Sequence, residues 1–307
     1  MHSSDTLLLC RHIHTLEQSE KTAGEFLLRF RERVREPTPS VLSKRVPQMM
    51  KTALQTITWG DPQQHLFDEI FGVANLNGFQ GVEIGFRRLG QVGIKKAQSL
   101  LAKHRVELSA SHIGGNLTDL VQAANERDAL QTVLSYLIAL NCRYLVFSGL
   151  NVEDEGELSV ELEKLRSIAL GCADQGVTLL YHNHDWEFRN NRRIWNRLQS
   201  AEIEGLGYAP DLGWAVKGGQ DMGALLDEIG DRTKVLHFKD FVTWEDGQNT
   251  CHLGDGVVDF APAWTWLSRQ ADRDIWITAE QDNADNCDLA CQVNSAFLKN
   301  HISEIEG

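Results

Sequence analysis

Val177-Thr178-Leu179-Leu180-Tyr181-His182-Asn183 is a short, apolar, non-alternating run that ends abruptly in polar side chains. A strand of this composition expects protein on both faces, as in a parallel sheet covered by helices. Working outward, seven further runs share its character: 53–59, 81–86, 106–112, 144–148, 207–211, 235–239 and 275–280. Between them lie longer segments, most with helical spacing, at 62–77, 94–104, 128–140, 160–175, 194–201 and 222–229. The runs recur at roughly 25–40 residues, the size of a βα unit. Eight such units predict an α/β fold, a (β/α)8 TIM barrel over residues 51–307. No GxGxxG follows the first run, which disfavours a dinucleotide-binding, doubly wound sheet.

The 307 residues are 42% hydrophobic and 24% charged, the balance of a globular chain, and no apolar run reaches the roughly 20 residues of a membrane-spanning helix. The net charge of −13 repels phosphate backbones and argues against general nucleic-acid binding. It is unevenly spread, with about +2 on residues 1–50 and about −15 on the remainder. The first fifty residues therefore read as an extension separate from the barrel. Its segment Glu25-Phe26-Leu27-Leu28-Arg29-Phe30-Arg31-Glu32-Arg33-Val34-Arg35-Glu36 has helical character and stops at Pro37-Thr38-Pro39. Leu7-Leu8-Leu9 is too short for an export signal, and the six cysteines form neither a CxxC pair nor a disulfide framework. Both features point to a cytoplasmic protein.

Catalytic groups of such barrels sit at the C-terminal strand ends. Here those ends carry Trp59, Glu83, Phe86, His112, Ser148, His182, Asn183, His184, Asp211, His237, Lys239, Glu280, Gln281 and Asp282. Imidazoles and carboxylates without thiolates suit a divalent cation such as Mn²⁺, Co²⁺, Mg²⁺, Fe²⁺ or Zn²⁺. His182, Asp211, His237 and Glu280 stand on four consecutive strands and are the candidate metal ligands, with a metal-free ion-pair network as the competing reading. His182 and His184 share a strand face. If both point inward, one ligates and the other is free for acid–base work.

Together Gly78-Phe79-Gln80-Gly81-Val82-Glu83-Ile84-Gly85, Tyr181-His182-Asn183-His184-Asp185-Trp186-Glu187-Phe188, Leu236-His237-Phe238-Lys239-Asp240 and Leu253-Gly254-Asp255-Gly256-Val257-Val258-Asp259-Phe260 resemble the sugar phosphate isomerase/epimerase family, the xylose isomerase-like TIM barrels. The ending Ala279-Glu280-Gln281-Asp282 is similar to that of its 2-keto-myo-inositol (inosose) dehydratase branch. The resemblance spans about residues 53–300. It implies one divalent ion, Mn²⁺ first, held at His182, Asp211, His237 and Glu280. Many members have Glu where His182 stands, so His184 or a folded-back Glu187 is an alternative ligand. Many also have a histidine after the aspartate, where this chain has Trp214. That departure counts against the multi-zinc DNA-repair endonuclease IV branch.

The remaining roles follow from chemistry. His184, Lys239 and Glu280 form the candidate catalytic set, with Lys239 placed to hold a substrate hydroxyl or a developing oxyanion, or else to pair with Asp240 or another rim acid. Trp59, Glu83, His112 and Trp214 form the candidate substrate-binding set. The alternatives are core packing for Trp59, Phe86 and Trp214, a buried structural acid for Glu83 and a bond to the neighbouring strand for His112. Leu253-Gly254-Asp255-Gly256 reads as a loop shaping the mouth. The expected function is metal-dependent proton abstraction beside a carbonyl of an unphosphorylated sugar or cyclitol, giving isomerisation, epimerisation or dehydration through an enediolate that the metal stabilises. The rival readings are DNA phosphodiester cleavage and a sugar-binding barrel without chemistry. Homo-oligomerisation is compatible with all of them.

Overall fold

A computed structural model describes residues 50–114, 120–245, 249–270, 273–282 and 284–306. The extension, with the helix expected at residues 25–36 and Cys10, lies outside the described residues. The eight barrel strands are β1 Lys51–Gln55, β2 Gly81–Gly85, β3 Glu107–Gly114, β4 Tyr144–Ser148, β5 Thr178–His182, β6 Leu206–Tyr208, β7 Val235–Phe238 and β8 Trp276–Ala279. All are parallel, in the order β6-β5-β4-β3-β2-β1-β8-β7. Bridges Tyr208↔Thr233 and Asp211↔His237 bring the two edges together, so the sheet is nearly closed into a TIM barrel with flanking helices.

Two strands stop well before the ends of the runs that the sequence suggests. β1 ends at Gln55, whose side chain accepts from the Ile57 N–H and turns the chain into a 3-10 helix, Thr56–Trp59. β6 ends at Tyr208 because Pro210 has no N–H for a ladder and Asp211 caps the next helix, Leu212–Lys217, through the Trp214 N–H.

The barrel interior explains why polar groups collect at one end. Ala53, Ala110, Val146, Leu180, Ala209, Val235 and Trp276 form an apolar cluster distinct from the larger core between sheet and helices. Trp276 fills much of it, and Gly81 opposite is required, because a Cβ there would lie 2.7 Å from the indole. Side chains on a strand alternate, so the next inward position lies two residues on. Two residues beyond Ala53, Gly81, Ala110, Val146, Leu180, Ala209 and Val235 stand Gln55, Glu83, His112, Ser148, His182, Asp211 and His237. Four beyond Trp276 stands Glu280. The apolar layer thus forms the floor and the polar layer the mouth.

Candidate active site

His237, at the end of β7, is fully buried between two carboxylates. Its Nδ1 lies 2.5 Å from Glu280 Oε2 and its Nε2 lies 2.9 Å from Glu83 Oε2. Burial alone pushes the imidazole pKa down, but Glu83 and Glu280 outweigh it and raise it to about 10. His182 packs on it with ring centroids 4.6 Å apart. Burial, then the charge of His237, hold His182 neutral, and its Nδ1 is buried without a hydrogen-bond partner. His182, His237 and Glu280 each offer a ligand atom within 4.8 Å of the others.

Lys239 lies one inward position beyond His237 and is surrounded by acids. Its Nζ is 2.9 Å from Glu280 Oε1, 3.1 Å from Asp282 Oδ2 and 3.6 Å from Asp211 Oδ2. Although burial opposes its charge, these three carboxylates raise its pKa, so it remains an ammonium. Burial pushes Glu280 up, yet Lys239 and His237 pull it well below the usual carboxylate range. Asp211 is raised to about 7 by burial, against the pull of Lys239. Its Oδ1 caps a helix, while its Oδ2 is buried without a hydrogen bond. The close approach of Lys239 to this segment depends on Gly213, where a Cβ would come within 2.2 Å of the Lys239 carbonyl.

Asp240 does not pair with Lys239. Its buried carboxylate accepts main-chain N–H groups from Phe241, Gly254, Gly256 and Val258, and so staples the Leu253-Gly254-Asp255-Gly256 loop to β7. Asn183 faces away from its histidine neighbours and braces Asp211 through main-chain bonds of 3.1 and 3.2 Å. Glu187 does not fold back toward the cluster. It is fully buried, accepting from Tyr181 Oη at 2.9 Å and from the His184 N–H at 2.8 Å.

His184 stacks on Trp186 at 3.9 Å and lies 5.8 Å from Trp214, ring centroid to centroid. Burial, then the charge of Lys239, lower its pKa to about 3, so it is neutral across the ordinary pH range. His112 bonds to Ser148 Oγ on the adjacent strand at 2.7 Å, and burial lowers its pKa. A cavity of about 430 Å³ opens beside the cluster, reaching Glu280, His112, Ser148 and Phe86. Trp59 and Trp214 do not line it. Trp59 is partly buried against the core, and Trp214 packs edge-on against Phe241 at 4.9 Å. Among the polar residues around the cavity, Gln55 and Gln63 were not singled out in the sequence, whereas Ser148 there and Asp282 beside Lys239 stood out only as polar strand ends with no role assigned. Asp282 was legible from its two-residue spacing to Glu280. Gln63 carried no signal, because it sits in a loop.

Residues 71–300 match the family described as xylose isomerase-like TIM barrel. The chain belongs to that family. Inosose dehydratase of Lacticaseibacillus casei is 28% identical over 151 residues, which cover 43% of this chain and 49% of that protein. The chain thus spans about half the length of this curated relative. Among solved structures, the probable 3-DHS dehydratase AsbF of Bacillus anthracis superposes with a TM-score of 0.69 at 15% identity, covering 82% of this chain and 99% of that one. D-allulose 3-epimerase of Methylomonas sp. gives 0.68 at 16% identity, covering 83% and 98%. At such identities the structures speak for the fold alone. The curated relative of this family member is named as a dehydratase, and no helix among its described residues is long and apolar enough to cross a membrane.

Proposed function

We propose that this family member is a divalent-metal-dependent sugar or cyclitol enzyme that removes a proton from carbon beside a carbonyl, as a dehydratase, isomerase or epimerase. The observation that carries this is the convergence of buried His182, His237 and Glu280 at the barrel mouth next to a polar cavity. The donor set fits such an ion. His237 Nδ1 and Glu280 Oε2 already face each other at 2.5 Å, where one shared proton can give way to a cation, and His182 Nδ1 and Asp211 Oδ2 are buried without hydrogen bonds. His182, His237 and Glu280 would hold it, with Asp211 as the fourth ligand. When bound, Mn²⁺ or a similar ion supplies Lewis-acid polarisation of a carbonyl and its neighbouring hydroxyl.

The chain's own residues supply the rest. Lys239, a permanent cation in a buried site, stabilises negative charge that develops on a substrate oxygen. His184, kept neutral and oriented by Trp186, takes or returns the proton. His112 with Ser148 offers a hydroxyl-binding pair on the cavity wall. Dehydration of a keto-inositol or keto-sugar is the preferred outcome, supported by the inosose dehydratase relatives. Metal analysis with turnover screening on keto-inositols, ketohexoses and 3-keto-glycosides tests the reading. About one ion per chain and metal-dependent turnover are expected. Turnover undiminished after complete metal removal rejects it.

A further inference from the structure

The cavity extends from Glu280 to the loop after β1, and the chemistry at its far end has no part in proton abstraction. Gln63, in that loop, is 3% exposed, lines the cavity, and holds its Oε1 buried without a hydrogen-bond partner. A buried carbonyl oxygen left unpaired is costly, so the position calls for a ligand that donates. The surrounding groups are already engaged. Gln55 donates to Glu83 Oε1 and accepts from the Ile57 N–H, and His112 faces Ser148. Arg88 is held through Nε and Nη2 by the two oxygens of Asp61, and both side chains line the cavity. Its charge is thereby neutralised, while its Nη1 hydrogens remain to donate.

A hydroxyl satisfies both requirements, donating to Gln63 Oε1 and accepting from Arg88. An ionised carboxylate or phosphate has no proton for Gln63 and would sit against Asp61. We propose that Gln63 and the Asp61–Arg88 pair form the subsite for the substrate end remote from the reacting carbons. The subsite takes uncharged, adjacent hydroxyls of a sugar or cyclitol and discriminates against phosphorylated or carboxylated substrates. The inference rests on the reading that the reacting carbons lie at the neighbouring histidine–carboxylate cluster.

The test measures calorimetric binding and solvent-deuterium exchange with metal-loaded protein, using 2-keto-myo-inositol, D-fructose and D-fructose 6-phosphate as probes. At least one neutral probe should bind more tightly than the phosphorylated one. Gln63→Leu should weaken that neutral probe roughly tenfold. Gln63→Glu, an isosteric acceptor, should leave its affinity nearly unchanged. Asp61→Asn should shift preference toward the phosphorylated probe by freeing the charge of Arg88. Tighter binding of the phosphorylated probe to the unaltered protein, equal losses in both Gln63 variants, or no neutral probe bound at millimolar concentration would each overturn the proposal. Gln63-dependent binding without deuterium exchange supports the subsite and rejects proton abstraction. Exchange that Gln63→Leu leaves untouched at every probe concentration rejects the subsite alone.

Discussion

Glu83 Oε2 lies 2.9 Å from His237 Nε2, joining β2 to β7 across 154 residues of sequence. A histidine that ligates a metal through one ring nitrogen commonly donates the N–H of the other to a carboxylate, which fixes its tautomer and ring orientation. Glu83 is in that position, with His237 Nδ1 turned toward Glu280. Glu83→Gln is therefore expected to lower metal affinity about 10- to 100-fold while leaving the direct ligands in place. Competition against a metal indicator measures this, and unchanged affinity would remove Glu83 from the support of the site.

Asp211 has two roles that one substitution can separate. Asparagine caps helices about as well as aspartate, so Asp211→Asn should keep the Trp214 N–H bond and the melting temperature. The same change removes the anionic Oδ2, so tight binding of the divalent ion should be lost. A variant that melts early yet binds metal normally would make Asp211 a cap and nothing more.

Proton abstraction leaves an isotopic trace. A true substrate incubated in D₂O should take up deuterium at the carbon beside the carbonyl. His184→Ala should slow that uptake more than it weakens metal binding, since His184 stacks on Trp186 and is not part of the three-residue cluster. Loss of metal in His184→Ala, with retention in His182→Ala, would exchange the two roles. Turnover of a keto-sugar without exchange at any carbon would instead point to hydride transfer.

Burial raises Glu187 from 4.5 to about 7, against the hydrogen bonds from the His184 N–H and the Tyr181 hydroxyl. Between those two values the native state holds a proton that the unfolded chain has released. The contribution is therefore fully present below pH 4.5 and is lost as pH rises through 7, by about 3 kcal/mol at most. Glu187→Gln mimics the neutral form, so its stability relative to the unaltered protein should rise over this interval. Urea unfolding at pH 5 and pH 8 reads the difference, and parallel pH dependence of the two proteins would contradict it.

The strand ends show where legibility stopped. His182, Asp211, His237 and Glu280 could be picked out because such residue types are unusual at the ends of apolar strands and recur there on four strands in succession. Gln55 occupies an equivalent inward position but lies inside the run 53–59, whose end reads as Trp59, so nothing marked it; Ser148 stood out only as a polar strand end, with nothing in its composition to assign it a role. Lys239 was legible as an inward cation with a rim acid as an alternative partner, but which acids it meets was not. Asp240, its neighbour in sequence, points to the Gly254–Val258 main chain, and Asp282 from the next strand pairs with it instead.

The sequence by itself determined the eight βα units, the parallel sheet and the rim on which polar groups gather, because these follow from local periodicity and from alternation along single strands. The tertiary structure alone decided which of those groups meet. Closure between β6 and β7 brings Asp211 beside His237, and the pairing of β8 with β7 brings Glu280 to His237 and Lys239. The placement of Gln63 over the cavity depends on a loop whose path no periodicity encodes. Contacts between strands and loops far apart in sequence depend on barrel register, which exists only once all eight strands are in place.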